Sequence, residues 1–176
     1  MYKLRAEIEE DHAAIREVND LAFHYGDESK LVDNVRESDR YIPELSIIAV
    51  TEDNKVIGHI LFSVIDIESE NGVLQTLALA PMAVRPDFQG QGIGSALVRH
   101  GLSECKRLGY GHVVLIGHPD FYPRFGFKPA REKGLESPIP VPDHVFLACE
   151  LDAGALESVS GTIKYPPAFY FDGKLI

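Results

Sequence analysis

Tryptophan is absent, and cysteine is scarce: Cys105 and Cys149 are the only two thiols in 176 residues. Two cysteines without an apolar leader make no disulfide framework. They read as free thiols in a reducing compartment, and a cytoplasmic location is expected. The opening Met1-Tyr2-Lys3-Leu4-Arg5 runs straight into Glu7, Glu9, Glu10 and Asp11, so the apolar core of a signal peptide is missing. Long hydrophobic runs are missing too. Stretches such as 60–65 are far too short to cross a bilayer, and no membrane partner is expected. Positive charge is in deficit: 17 Lys and Arg stand against 27 Asp and Glu, for a net charge of −10. That balance argues against nucleic-acid binding by bulk electrostatics, and it obliges any anionic ligand to find its positive field locally. No histidine pair has metal-ligand spacing, so no metal is expected. Internal repeats, low-complexity tracts and linkers are absent.

What remains is ordinary globular composition, 45% hydrophobic and 25% charged. One domain over 1–176 is expected, with a core of 2–151 and a C-terminal extension of 152–176. Tyr2 to Ala6 alternates like a short strand. The acidic Glu9-Glu10-Asp11 opens a helix whose apolar face is Ala14, Ile15, Val18, Leu21 and Ala22, and Gly26 breaks it. A second short helix covers Glu28 to Arg36. Ser46 to Thr51 and Lys55 to Ile67 read as a hairpin about Asp53-Asn54, and Val73 to Val84 follows a turn at 68–72. The clearest helix is Ile93 to Leu108, stopped by Gly109. His112 to Ile116 is a further strand, 131–144 a loop, and Val145 to Leu151 a late strand. This order makes an α/β (α+β) fold with a mixed sheet.

The sharpest local feature is Gln89-Gly90-Gln91-Gly92-Ile93-Gly94-Ser95, joining a strand to a helix. Glycines let the backbone approach a ligand closely, and the helix that follows offers free N–H groups and the positive end of its dipole to phosphates. A P-loop would need Gly-Lys-Ser/Thr, and no lysine is present. A Rossmann fingerprint would need a third glycine where Ser95 stands, after the first strand of a βαβ unit rather than the third of a meander. A pyrophosphate turn for coenzyme A and a glycine-rich helix start without a ligand both remain open on the loop alone.

The wider pattern decides between them. Gln89-x-x-Gly92-x-Gly94 resembles the Q/R-x-x-G-x-G/A motif of the GNAT N-acetyltransferases. The match extends upstream through Pro81-Met82-Ala83-Val84-Arg85-Pro86 and downstream to Phe121-Tyr122-Pro123-Arg124-Phe125-Gly126-Phe127. The whole chain, including 161–165 and 168–169, is similar to a bacterial subgroup of that superfamily. The resemblance implies a central, mostly antiparallel mixed sheet, splayed between its fourth and fifth strands and flanked by helices. It implies acetyl-CoA as co-substrate, its pantetheine arm in the split, and transfer of the acetyl group to a primary amine, on a small molecule or a peptide, by direct attack. Pro81 supports the split independently, since it has no N–H to give a ladder. By the same resemblance the backbone of Met82, Ala83 and Val84 bonds the acetyl and pantetheine groups, with the Met82 N–H as oxyanion donor. Gln89, Gly90, Gln91, Gly92, Ile93, Gly94 and Ser95 hold the pyrophosphate. Tyr122 is the general acid for the departing thiolate.

The match thins at the general base. Where many members of the superfamily carry Glu or His, this chain has Ala78 and Ala80, with Thr76 and Gln75 further back. His118, His59, Glu28 or a water chain are the candidates. Cys105 and Cys149 are expected in the core. Arg85, Arg99, Lys106, Arg124 and Lys128 are candidates for coenzyme phosphates. Two alternatives stand: a non-catalytic acyl-CoA-binding sensor of the same fold, which the missing strand-four carboxylate keeps alive, and a nucleotide-binding module unrelated to coenzyme A. The superfamily often forms homodimers, and the C-terminal strands offer a surface for pairing, though nothing in the sequence requires it.

Overall fold

The computed structural model describes residues 1–176. The chain opens on β1 (Tyr2–Ala6) and passes through a 3-10 turn at Glu9–Asp11 into α1 (His12–Phe23) and α2 (Asp27–Arg36). The acidic cluster thus forms a separate turn ahead of the helix: the Asp11 carboxylate accepts the Ile8 N–H at 2.8 Å and is held by Arg5 at 2.6 Å. Three long strands follow, β2 (Ser46–Thr51), β3 (Val56–Ser69) and β4 (Gly72–Val84), then α3 (Ile93–Arg107) and β5 (His112–Ile116). The pairing of Ser69 with Gly72 shortens the expected 68–72 turn to two residues. Two short strands follow, β6 (Lys128–Pro129) and β7 (Leu135–Glu136), the second inside the stretch 131–144 expected as a loop, before β8 (Phe146–Glu150) and β9 (Gly161–Lys164). A small hairpin, β10 (Tyr170–Phe171) and β11 (Lys174–Leu175), ends the chain. No helix is long and apolar enough to cross a membrane.

The main sheet runs β1-β2-β3-β4-β5-β8-β6, with neighbours antiparallel except for the parallel pair β4–β5. β3 is buried along almost its whole length and reads as a continuous apolar run because both faces are covered. On one face α1 and α2 pack through Ile15, Val18, Leu31, Val32 and Val35. On the other α3 packs through Ile93, Leu97 and Val98. β2 divides its side chains accordingly, Ile48 and Val50 to the first face, Ile47 and Ala49 to the second.

The 152–176 segment, expected as an extension beyond the core, returns to the sheet. β2 pairs with β3 only as far as Leu61, which leaves the rest of that β3 edge uncovered. β9 fills it, pairing Lys164 with Asp66, Ile163 with Ile67 and Thr162 with Glu68. Tyr165 and Phe169 are buried behind it.

Candidate active site

Pro81 interrupts the β3–β4 ladder. Leu79 stands opposite Phe62 and Met82 opposite Ile60, so Ala80 and Pro81 together face the single residue Leu61. This is a bulge, and one extra residue reverses which face each side chain takes. Before it Leu77 and Leu79 point toward α3; after it Met82 and Val84 do, while Ala83 turns to the α1–α2 side. A proline at this place is tolerated because no ladder bond is asked of it.

β5 accompanies β4 only at Leu77 with Val113 and Ala78 with Val114, then leaves it. Beyond Ala78 one edge of β4 therefore faces a cleft. Which groups it presents follows from the register. Arg85 N–H donates to the Ile57 carbonyl at 2.8 Å, and Ala83 opposite His59 is the next bonded pair. Antiparallel pairs alternate, so the N–H and C=O of Met82 and Val84 point away from β3 into the cleft. The Val84 carbonyl accepts the Gln89 side-chain amide at 3.0 Å. The Met82 groups and the Val84 N–H have no partner within the sheet.

At the mouth of the cleft lies the glycine turn. Gly90 and Gly92 have φ of +76° and +83°, and Gly92 is the N-cap of α3. The positive φ at both is what requires glycine. The first N–H groups of α3 have no partner within the helix and stand at the positive end of its dipole. Met82, Val84, Gln89, Gly90, Gly92, Ile93, Gly94, Ser95 and Arg124 line a depression here, together with Phe88 and Phe121. Gln91 lies outside it. Of the five basic candidates only Arg124 borders the depression, bonded to the Asp120 carbonyl at 3.1 Å and lying over the Phe121 ring. Arg85 pairs with Glu17, Lys106 with Asp152, and Arg99 lies over Phe125. Lys128 borders neither this depression nor the cavity next to it.

Met82, Val84, Gln89 and Phe121 also belong to that larger neighbouring cavity of about 450 Å³, so the two adjoin. Its walls come from the ends of α1 and α2 (Ala22, Phe23, Glu28, Leu31), from β4 (Leu79 to Val84), from the last residue of β5 and the segment after it (Ile116, Gly117, His118, Phe121, Tyr122) and from Ile176. Tyr122 stands on the 3-10 turn Tyr122–Phe125, edge-on to Phe121 and Phe127 with ring centroids 5.0 and 5.7 Å away. Burial pushes its phenol up to about 12, so the group keeps its proton at neutral pH.

The base candidates separate clearly. Glu28 and His118 line the cavity. His59 does not: it is fully buried between Asn19 and Ser46 at 3.2 and 3.0 Å. Burial lowers it to about 4, so the imidazole is neutral and belongs to the core. Thr76 is buried with its hydroxyl 2.7 Å from His112 Nδ1. Cys105 and Cys149 are free and buried, and burial pushes both thiols up, which removes the thiolate that an acyl-cysteine route would need. Ile176, Phe23 and Leu31 carried no motif, and only packing brings them to the cavity.

Residues 12–127 match the model of the acetyltransferase (GNAT) family. The chain belongs to this family. As a GNAT member it is an N-acetyltransferase, and two solved relatives share its fold. The structure of the Escherichia coli GNAT N-acetyltransferase YhbS in complex with CoA superposes with a TM-score of 0.88 at 32% identity, covering 96% of this chain and 91% of that one. A Brucella melitensis GNAT acetyltransferase in complex with acetyl-CoA gives 0.78 at 30% identity, covering 97% and 99%. An E. coli protein described as uncharacterized N-acetyltransferase YjhQ is 39% identical over 134 residues, 76% of this chain and 74% of its own length.

Proposed function

We propose that this GNAT chain transfers the acetyl group of acetyl-CoA to a primary amine by direct attack, without an acyl-enzyme. One observation carries the reading: beyond Ala78 the edge of β4 is free, its Met82 and Val84 groups face a cleft, and that cleft joins the anion turn at one end and Tyr122 in its wall. The α3 N-terminus holds the pyrophosphate. The Val84 N–H and the Met82 carbonyl continue the ladder with the pantetheine amides. The Met82 N–H donates to the thioester oxygen as negative charge develops on it, in a site where little water competes. The neutral amine nitrogen forms the new C–N bond as the C–S bond breaks, the Tyr122 hydroxyl gives its proton to the departing sulfur, and the proton that the nitrogen sheds restores the phenol. The burial that raises the phenol to about 12 also keeps it protonated and able to donate.

The sensor reading drew on the alanines at 78 and 80. It loses ground because Glu28 and His118 line the cavity and either could serve as a proton acceptor there. Calorimetric titration with acetyl-CoA followed by a thiol-release assay against amines separates the two. Binding with amine-dependent release supports the transferase; binding without release across the panel supports the sensor; no binding overturns both.

A further inference from the structure

The acceptor end of the cavity has a chemical character that points to a substrate class. The coenzyme depression adjoins the cavity through Met82, Val84, Gln89 and Phe121, so the acceptor must enter from the opposite walls, which α1, α2 and Ile176 supply. The side chains of those walls, Ala22, Phe23, Leu31 and Ile176, are apolar except for one carboxylate. Glu28 sits in the first turn of α2, half-buried, and its Oε2 is shielded from water with no hydrogen-bond partner. No ion pair to Glu28 exists within the chain, and no Lys or Arg lines the cavity. A carboxylate oxygen taken from water and left unpaired is a costly arrangement unless a ligand completes it.

Resting on the acetyl-transfer reading, we propose that Glu28 binds the ammonium of the acceptor, and that the acceptor is a primary amine on an apolar carbon skeleton with no carboxylate next to the nitrogen. Glu28 takes one proton from the bound ammonium, which frees the nitrogen lone pair for the C–N bond; Tyr122 gives its proton to the departing sulfur, and the second proton that the nitrogen sheds restores the Tyr122 phenol, so protons and charge balance across the step. An α-carboxylate on the acceptor would meet Glu28 and find no lysine or arginine in the cavity. α-Amino acids are excluded on this ground. Free arylalkylamines and the lysyl side chain share the required chemistry.

Calorimetric binding to the CoA-saturated protein tests this without requiring turnover. The probes are phenethylamine, phenylalanine, 2-phenylethanol and lysine blocked at both termini. Phenethylamine or blocked lysine, or both, should bind, and whichever binds identifies the source. Phenylalanine and the alcohol should bind about tenfold more weakly or not at all, and Glu28→Gln should weaken amine binding about tenfold or more. CoA affinity of that variant should be unchanged, which reports that it folds. Equal amine affinity in wild type and Glu28→Gln, preference for phenylalanine, or no saturable amine binding would overturn the assignment. Failure of acetyl transfer itself is read separately, from thiol release by the wild type.

Discussion

The side-chain amide of Gln89 donates to the Val84 carbonyl oxygen across 3.0 Å, tying the start of the anion turn to the free edge of β4. The first residue of the motif therefore acts through its side chain on the protein, while the role proposed for the glycines after it is a backbone one. Gln89→Ala should leave the fold intact and weaken coenzyme binding roughly tenfold, the worth of about one hydrogen bond. Titration calorimetry with CoA, alongside a thermal melt, checks both halves.

The glycines of the turn should differ in tolerance. A Cβ at Gly92 would meet nothing within 4 Å, yet φ is +83°, so the obstacle is the backbone and the anion rather than neighbouring side chains. Gly92→Val should cost about 1–2 kcal/mol of stability and abolish measurable CoA binding. Gly94 is helical, and a Cβ there would sit 3.4 Å from Met82 Cε, a contact the flexible thioether can accept. Gly94→Ala should keep both stability and binding.

Tyr122→Phe preserves the edge-on packing against Phe121 and Phe127 and removes a hydroxyl that makes no hydrogen bond within the chain. Stability should hardly move. In steady-state kinetics kcat should fall about 100-fold or more with little change in KM for acetyl-CoA. A fall in affinity with unchanged kcat would make Tyr122 a packing residue.

Acid should weaken the fold through one buried chain of bonds. Asn19 donates to His59 Nδ1, His59 Nε2 meets the Ser46 hydroxyl, and Ser46 donates to Glu7 at 2.7 Å, which Arg36 and Tyr41 also hold. Burial lowers His59 to about 4, against an ordinary value of 6.5. Between those values the unfolded chain binds more protons, so stability rises with pH there: the contribution is complete above about 6.5 and disappears as pH falls toward 4. Burial would raise Glu7, but the hydrogen bonds from Arg36, Tyr41 and Ser46 outweigh it and the net shift is downward. Its contribution is likewise present above the ordinary carboxylate range and lost in acid. Urea unfolding at pH 7, 6 and 5 should show falling stability, with a shallower slope in His59→Gln by up to about one proton.

Much of this site is visible in residue order. Glycine spacing marks the turn, Pro81 marks the break in the ladder, and helical periodicity marks Ile93 to Leu108, because each is a local rule acting on neighbouring residues. What depends on packing was hidden. Nothing in 161–164 announces that it covers the β3 edge left bare beyond Leu61. Glu28 and His59 looked alike as candidate bases, yet α2 carries one carboxylate to the cavity while β3 buries the imidazole against Asn19. The change of face between Leu79 and Met82 needs the bulge to be seen, since a strand read from periodicity alone keeps one parity.

The most direct test is the initial rate of free thiol release from acetyl-CoA by the wild-type protein, measured with and without phenethylamine or doubly blocked lysine. The account predicts release that depends on the amine and saturates with it. Tight binding of acetyl-CoA with no amine-dependent release would contradict it.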